Sequence, residues 1–509
     1  MMALRHEKEG TEESFRKALE LYKKAGDRGN AMGYRCLANL YENGKGTEQS
    51  YAKAAEYYGK AAEMGLDVAQ CDLGYLYDHG LGVEQSYERA IELYSEAAAT
   101  KYPRAMNNLG LLYFSGLGTE KSYEKAFELF EMAADDGDAD AANNVGMMYQ
   151  HGLGVDQSYD DALIWFSRAA DQGNIRAQCN LASMYRDGEG VERSYAKAIE
   201  LYSKAADQGD PRSQYLLGGM YERGEGVEKS CEEAVKWYER AAEGGDADAC
   251  FNLAVSLFNG EGIEKSYERA AEWYRKGAEL GDPYCQNNLG SMYEEGEGVE
   301  QSCEKAAEFY EKAVSQGHIR SCYNLGRLLR LGEGVEQSYE RAIPLLEKAF
   351  EGRMLDASNE LGLIYEDEEW PGHSDIKAAE WYRKGAELGD PHSQFCLGLM
   401  FVDGKGVPKS DAEAFRWFSE AADQGHLSAQ NNLGYMYENG MAADKSYEKA
   451  AEWYLKAAEG GNALAQLHIG RFFEQGKGVP KSLEEAKRWY SESAENGNEE
   501  AAEELERLS

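Results

Sequence analysis

The sequence predicts an all-α fold: a right-handed α-solenoid superhelix of 36-residue helix-turn-helix repeats. Three observations predict it. A Gly-x-Gly turn returns in steps of 36 residues or a multiple, beginning at Gly44, Gly80, Gly116, Gly152, Gly188, Gly224, Gly260, Gly296, Gly332, Gly404 and Gly476. Between the turns, apolar residues recur at helical spacing. The 509 residues contain 8 prolines, and no Pro/Gly/Ser-rich linker divides them. A fixed period of this length marks a stack in which each unit packs on its neighbours.

Each unit reads as two helices. Helix A starts after Asp or Asn, often with Pro first, as in Asp210-Pro211, Asp282-Pro283 and Asp390-Pro391. Asp accepts from the orphan N–H groups of the first turn, and Pro there loses no needed donor. A small residue, Leu and Tyr then follow at four-residue intervals, as in Ala177, Leu181 and Tyr185. That spacing lays one apolar face along a helix. The residue after the Leu is Gly or Ala, as at Gly110, Ala182 and Gly290, which allows close helix approach. The Gly-x-Gly turn ends helix A, because glycine reaches the left-handed region cheaply. Two turns hold register without the motif: Glu368 replaces one first Gly, and Ala442 replaces the second after Gly440. Helix B opens at a recurring Ser, from Ser14 and Ser50 to Ser482, which reads as an N-cap. Ala follows four residues later, then aromatic pairs such as Trp237-Tyr238 and Trp453-Tyr454, read as core. The expected boundaries are 1–30, a half-repeat with helix B alone; 31–498, thirteen full repeats; and 499–509, an acidic capping half-helix. A chain lacking its first helix A leaves an exposed seam, or lacks upstream sequence.

Composition bounds the function. Acidic residues number 92 against 54 basic ones, a net charge of −38. That field disfavours nucleic acid and anionic membrane and favours basic partners. No apolar run is long enough to span a bilayer, and Met1–Gly10 lacks a signal peptide's apolar core, so a cytoplasmic chain is expected. The nine cysteines form no CxxC and read as mostly buried free thiols, and neither Cys nor His shows zinc-ligand spacing. The Gly-x-Gly turns follow helices rather than strands, and no GxxxxGK[ST] occurs, so a phosphate loop is rejected. No catalytic site, cofactor or metal is expected.

The pattern Ala-x-x-x-Leu-Gly-x-x-Tyr-x-x-Gly-x-Gly-Val, then Ala-x-x-Trp-Tyr-x-x-Ala-Ala-x-x-Gly, resembles the Sel1-like repeat; Tyr221 to Gly245 shows much of it as written. The resemblance covers nearly the whole chain. It implies a superhelix similar to that of tetratricopeptide repeats, in proteins that act as adaptors or scaffolds.

Candidate contacts lie where residues vary on a fixed scaffold. Asn precedes the helix A Leu at Asn108, Asn144, Asn180, Asn252, Asn288, Asn324 and Asn432. Such a ladder either bonds the backbone of an extended peptide in the concave groove or bonds its own scaffold. One place earlier, Asn107 and Asn143 give way to Tyr215, Phe251, Tyr323 and Phe395. This stripe is expected to point away from the intrarepeat core, as interface anchors or as packing on the adjacent repeat. Residues 318–373 break the pattern most. They carry the basic Arg320, Arg327 and Arg330, Pro344 inside helix B, and Trp370 in an acidic turn. These are expected either to contact a partner or to reflect repeat drift. The expected partner is a protein or peptide of basic character, not nucleic acid and not through membrane insertion. The alternative is a structural protein that self-associates through its first repeat.

Overall fold

The computed structural model describes residues 2–508, which form 29 helices and no strand among the described residues. The chain divides into two compact units, Met1–Ala249 with Glu261–Ile263, and Cys250–Gly260 with Glu264–Ser509. Each unit is a run of helix A–helix B pairs, so the fold is an α-solenoid.

The helix ends follow from local chemistry. From Ser50 to Ser482, the recurring Ser caps helix B, its Oγ accepting from the N–H three residues on, as in Ser230 from Glu233 at 3.2 Å. The first copy differs. Thr11 is the cap there, and Ser14 is the third helical residue of a reciprocal capping box. Helix A ends on left-handed glycines such as Gly80 (φ 66°). The second glycine of each turn answers to sterics as well. A Cβ on Gly82 would lie 2.3 Å from backbone atoms of Tyr51 and Ala52 in the preceding repeat. Ala442 nevertheless holds this place with φ 62°. The helix A ending at Glu366 is short, 11 residues, and its cap Asp367 is extended rather than left-handed.

Residues 1–30 hold two helices, not helix B alone. Met2–Glu9 precedes Glu12–Gly26. The Tyr22 hydroxyl donates to Glu7 at 2.5 Å, and Ala3 packs on the cluster around Ala18 and Leu37. The first helix is therefore a shortened helix A, ended by Gly10 (φ 70°) without a Gly-x-Gly signal. At the other end, Glu499–Leu508 packs Ala501, Leu505 and Leu508 against Tyr490.

The core is Ala, Leu and a helix B aromatic, replaced by Leu346 in one repeat. The Ala four residues after each capping Ser is buried throughout, and Tyr58, Tyr94, Phe130, Phe166 and Tyr454 lie at 1% exposure or less. A Cβ on Gly110 would meet the Phe130 ring at 2.7 Å, so the small residue after the helix A Leu makes room for the helix B aromatic. The first residue of the aromatic pair is buried at Trp417 and Trp489 but not in four other repeats. Trp237, Trp273, Trp381 and Trp453 are half-buried under cations, with Lys384 Nζ 3.5 Å from the Trp381 ring centre. Pro344 sits inside an uninterrupted helix, Tyr339–Glu351. Cys71, Cys250, Cys285 and Cys322 are buried and the other five cysteines are half-buried.

Candidate functional site

Helix A presents three neighbouring columns beside its core face. One begins two residues after the core Leu. It carries Tyr75, Leu111, Met147, Ser183 and Gly219 in the first unit, and Val255, Ser291, Arg327, Leu363, Leu399, Tyr435 and Arg471 in the second. Leu111, Leu363 and Tyr435 are 44, 37 and 50% exposed, although Leu112, Ile364 and Met436 beside them are buried. The column is exposed at these three places, whereas Tyr75, Met147 and Leu399 are half-buried against the core and Gly219 is buried; its residue type varies from repeat to repeat.

The Asn column is committed to the scaffold. Asn144 Nδ2 donates to Asn107 Oδ1 at 2.9 Å, Asn180 Nδ2 to Asn143 Oδ1 at 3.0 Å, and Asn324 Nδ2 to Asn287 Oδ1 at 3.2 Å. Asn108 reaches Cys71 Sγ at 3.9 Å, Asn288 donates to the Tyr274 hydroxyl at 3.1 Å, and Asn432 accepts from Asn431 at 3.5 Å. Asn252 is half-buried at the same register. The ladder thus stitches one repeat to the one before it, since buried amides need partners.

The aromatic stripe packs inward, contrary to the expectation that it points away from the intrarepeat core. Tyr215 lies 5.8 Å from Tyr238, Phe251 6.1 Å from Tyr274, and Phe395 5.8 Å from Phe418, each on its own helix B. Tyr323 is half-buried, and burial beside Glu360 and Asp356 pushes its phenol up to about 12.

In the segment 318–373 the charges are spent internally. Arg327 pairs with Glu294 and Arg330 with Glu360, while Arg320 is exposed. Trp370 stands where other repeats carry their second turn glycine. Its ring meets Tyr339 edge-on at 5.4 Å and Tyr365 at 5.5 Å, and Nε1 donates to Glu340 at 3.3 Å. The Tyr339 hydroxyl donates to Asp367 at 2.5 Å. The irregular turn is thereby tied to the preceding helix B.

A pairing that the sequence reading missed runs through both units. A buried helix B tyrosine donates to the helix A acid 16 residues earlier: Tyr58 to Glu42 at 2.5 Å, Tyr238 to Glu222, Tyr310 to Glu294 and Tyr490 to Glu474 at 2.9 Å, Tyr382 to Glu366 at 2.6 Å, and Tyr454 to Glu438 at 3.0 Å. Tyr94 reaches Asp78 at 3.4 Å. Where helix B carries Phe130, Phe166 or Phe418, helix A carries Phe114, Gln150 or Val402. The acid appears where a buried hydroxyl needs an acceptor. The i, i+16 correlation is visible in the sequence alone.

The polar chemistry is structural in character. Burial pushes the Cys71 and Cys396 thiols up to about 12 and Cys179 to about 11, the reverse of an activated nucleophile. His318 and His426 replace the Asp or Asn cap of helix A, each accepting through Nδ1. Burial lowers the basicity of both. Among the described residues, no group of three or more His, Cys, Asp or Glu is placed to hold a metal, and no helix is long and apolar enough to cross a membrane.

Comparison with known proteins agrees with this architecture. The Sel1 repeat pattern matches fourteen segments: 1–30, 32–66, 67–99, 103–138, 139–174, 175–210, 211–246, 247–282, 283–318, 319–352, 355–390, 391–426, 427–462 and 463–498. Among solved structures, the chain is similar to c5321, a protective antigen present in uropathogenic Escherichia coli strains that displays an SLR fold. The identity is 33%, over 89% of this chain and 97% of that one, with a TM-score of 0.69. It is also similar to a Sel1 repeat protein from Oxalobacter formigenes, 32% identical over 48% of this chain and 99% of that one, with a TM-score of 0.45. Comparison with curated proteins gave no match.

Proposed function

Because the chain belongs to the Sel1 repeat family, whose members are in general protein-interaction scaffolds, we propose that it is a non-catalytic adaptor that binds a peptide segment or partner protein along its helix A face. The observation that supports this reading is the variable helix A column. Leu111, Leu363 and Tyr435 are large and exposed on a scaffold whose adjoining positions are fixed and buried. Exposed apolar residues in an array this acidic suit a partner that offers apolar anchors among basic residues. The Asn ladder and the aromatic stripe support that face from beneath rather than contacting the partner. Arg320 remains a contact candidate on exposure, whereas Arg327, Arg330 and Trp370 serve packing.

The test is affinity capture from native lysate with Lys introduced at exposed apolar positions on either helix. One variant carries Leu111→Lys, Leu363→Lys and Tyr435→Lys on helix A. The other carries Met132→Lys and Ile164→Lys on helix B, which are 49 and 62% exposed. The adaptor reading expects partners to be lost with the first variant and kept with the second. Loss with the helix B variant alone would move the interface off the helix A face.

A further inference from the structure

Two repeats break the tyrosine–acid pairing: Tyr202, with Arg186 sixteen places earlier, shares a hydrogen bond with Ser183 Oγ at 2.8 Å instead, and the other break lies beside a notch. Tyr274 is buried at 3% exposure, but the residue 16 places earlier is Phe258 rather than an acid. Phe258 turns away, meeting Tyr267 edge-on at 4.9 Å. A cavity of about 270 Å³ results, bounded by Val255, Phe258, Met292, Ser291 and Glu297, with Tyr274 and Asn288 among its lining. All of these residues belong to one compact unit.

The hydrogen-bond direction at Tyr274 is fixed by its neighbours. Asn287 Oδ1 accepts from Ser321 Oγ at 2.9 Å and from Asn324 Nδ2 at 3.2 Å, which turns Asn287 Nδ2 toward Asn288 Oδ1 at 3.1 Å. Asn288 Nδ2 is then the group facing Tyr274, and the hydroxyl accepts at 3.1 Å. Its own proton has no carboxylate to go to, unlike that of Tyr238 or Tyr310. A buried donor without an acceptor is costly, so an acceptor brought into the notch gains the full bond. Phe114 makes a similar edge contact, with Tyr123 at 5.1 Å, but lies over Phe130, which has no donor to offer.

We propose that this notch is a specificity pocket for an extended peptide: it takes one apolar side chain, and the Tyr274 hydroxyl donates to a backbone carbonyl beside that side chain. The volume lies below the roughly 300 Å³ at which small-molecule sites begin, and it suits a single side chain. Val255, Phe258 and Met292 supply the apolar wall. Glu297 in the notch and the exposed Glu295 nearby select Lys or Arg as flanking residues. This inference rests on the adaptor reading and assigns it a sequence preference.

The test pans a random dodecapeptide display library on the full chain, then measures enriched peptides by fluorescence anisotropy on wild type, Phe258→Glu and Tyr274→Phe. Phe258→Glu installs the Tyr-over-acid pair that other repeats carry, so the fold is retained; circular dichroism checks this for both variants. Enriched peptides are expected to share an apolar residue flanked by Lys or Arg. Both variants are expected to weaken them about tenfold or more, the range of a satisfied hydrogen bond. Peptides that bind all three proteins alike overturn the notch while leaving the adaptor reading intact. No enrichment overturns the notch as a peptide site, and partner capture then decides the adaptor reading separately.

Discussion

The pairing of Tyr454 with Glu438 gives a prediction whose size follows from the structure. The hydroxyl is fully buried and donates to the carboxylate at 3.0 Å. Glu438→Val leaves that donor orphaned, which costs about 2 kcal/mol. Tyr454→Phe costs less, about 1 kcal/mol, because half-exposed Glu438 can turn to water. The double variant recreates the Val402–Phe418 combination of the preceding repeat. Its cost should be about 1 kcal/mol rather than the sum of the two single costs, a coupling of about 2 kcal/mol. An array of repeats does not unfold in two states, so the readout must be local. Hydrogen exchange across Tyr447–Glu459 should speed up roughly 30-fold in Glu438→Val and return most of the way in the double variant. Strict additivity would falsify the argument that the acid is present to satisfy the hydroxyl.

Three further outcomes are expected. Ala442→Gly relieves a left-handed alanine and should stabilise its repeat by about 1 kcal/mol, read as slower exchange across Leu427–Asn439. His318 and His426 are less basic folded than unfolded, because burial outweighs Asp282 beside His318 and Asp390 beside His426, while Arg320 and His392 add to the lowering. Their contribution is therefore present above the ordinary histidine value and lost as pH falls through the lowered one. Exchange of Ile319–Leu331 and Leu427–Asn439 should accelerate below about pH 6, and His318→Asp with His426→Asp should remove that acceleration. Burial raises the Tyr274 phenol to about 12 and also raises Tyr58, Tyr310 and Tyr454, so their stability contribution is complete below about pH 10 and is lost above it. Absorbance at alkaline pH should show exposed tyrosines titrating first and the buried ones ionising together with loss of helicity.

Most of the fold was legible because it repeats. The 36-residue return of Gly-x-Gly, Ser and Ala fixes helix ends and core positions that no single copy could fix. The first helix, Met2–Glu9, escaped because it ends on Gly10 alone, and its docking residue Glu7 stands 15 rather than 16 places before Tyr22. The candidate site was less legible, because a helical wheel places a residue beside the core without saying which neighbour it meets. Asn144 and Phe395 have the spacing of a groove surface, yet they reach a neighbouring Asn and their own helix B. Trp370 looks exposed in an acidic turn, but the shortened helix A lets its ring fold onto Tyr339 and Tyr365. Leu111, Leu363 and Tyr435 share the register two residues past the core Leu with Gly219, Arg327 and Leu399, which are buried or half-buried, so register marks the column but not which copies are exposed.

The measurement that bears most directly on the adaptor reading is hydrogen exchange of the full chain with and without a captured partner. The account predicts new protection on helix A segments, such as Pro103–Ser115 and Asp356–Glu366, and on Ala247–Asn259 with Pro283–Glu295 at the notch. Protection confined to helix B segments such as Tyr123–Asp135, or to Met2–Glu9, would contradict it.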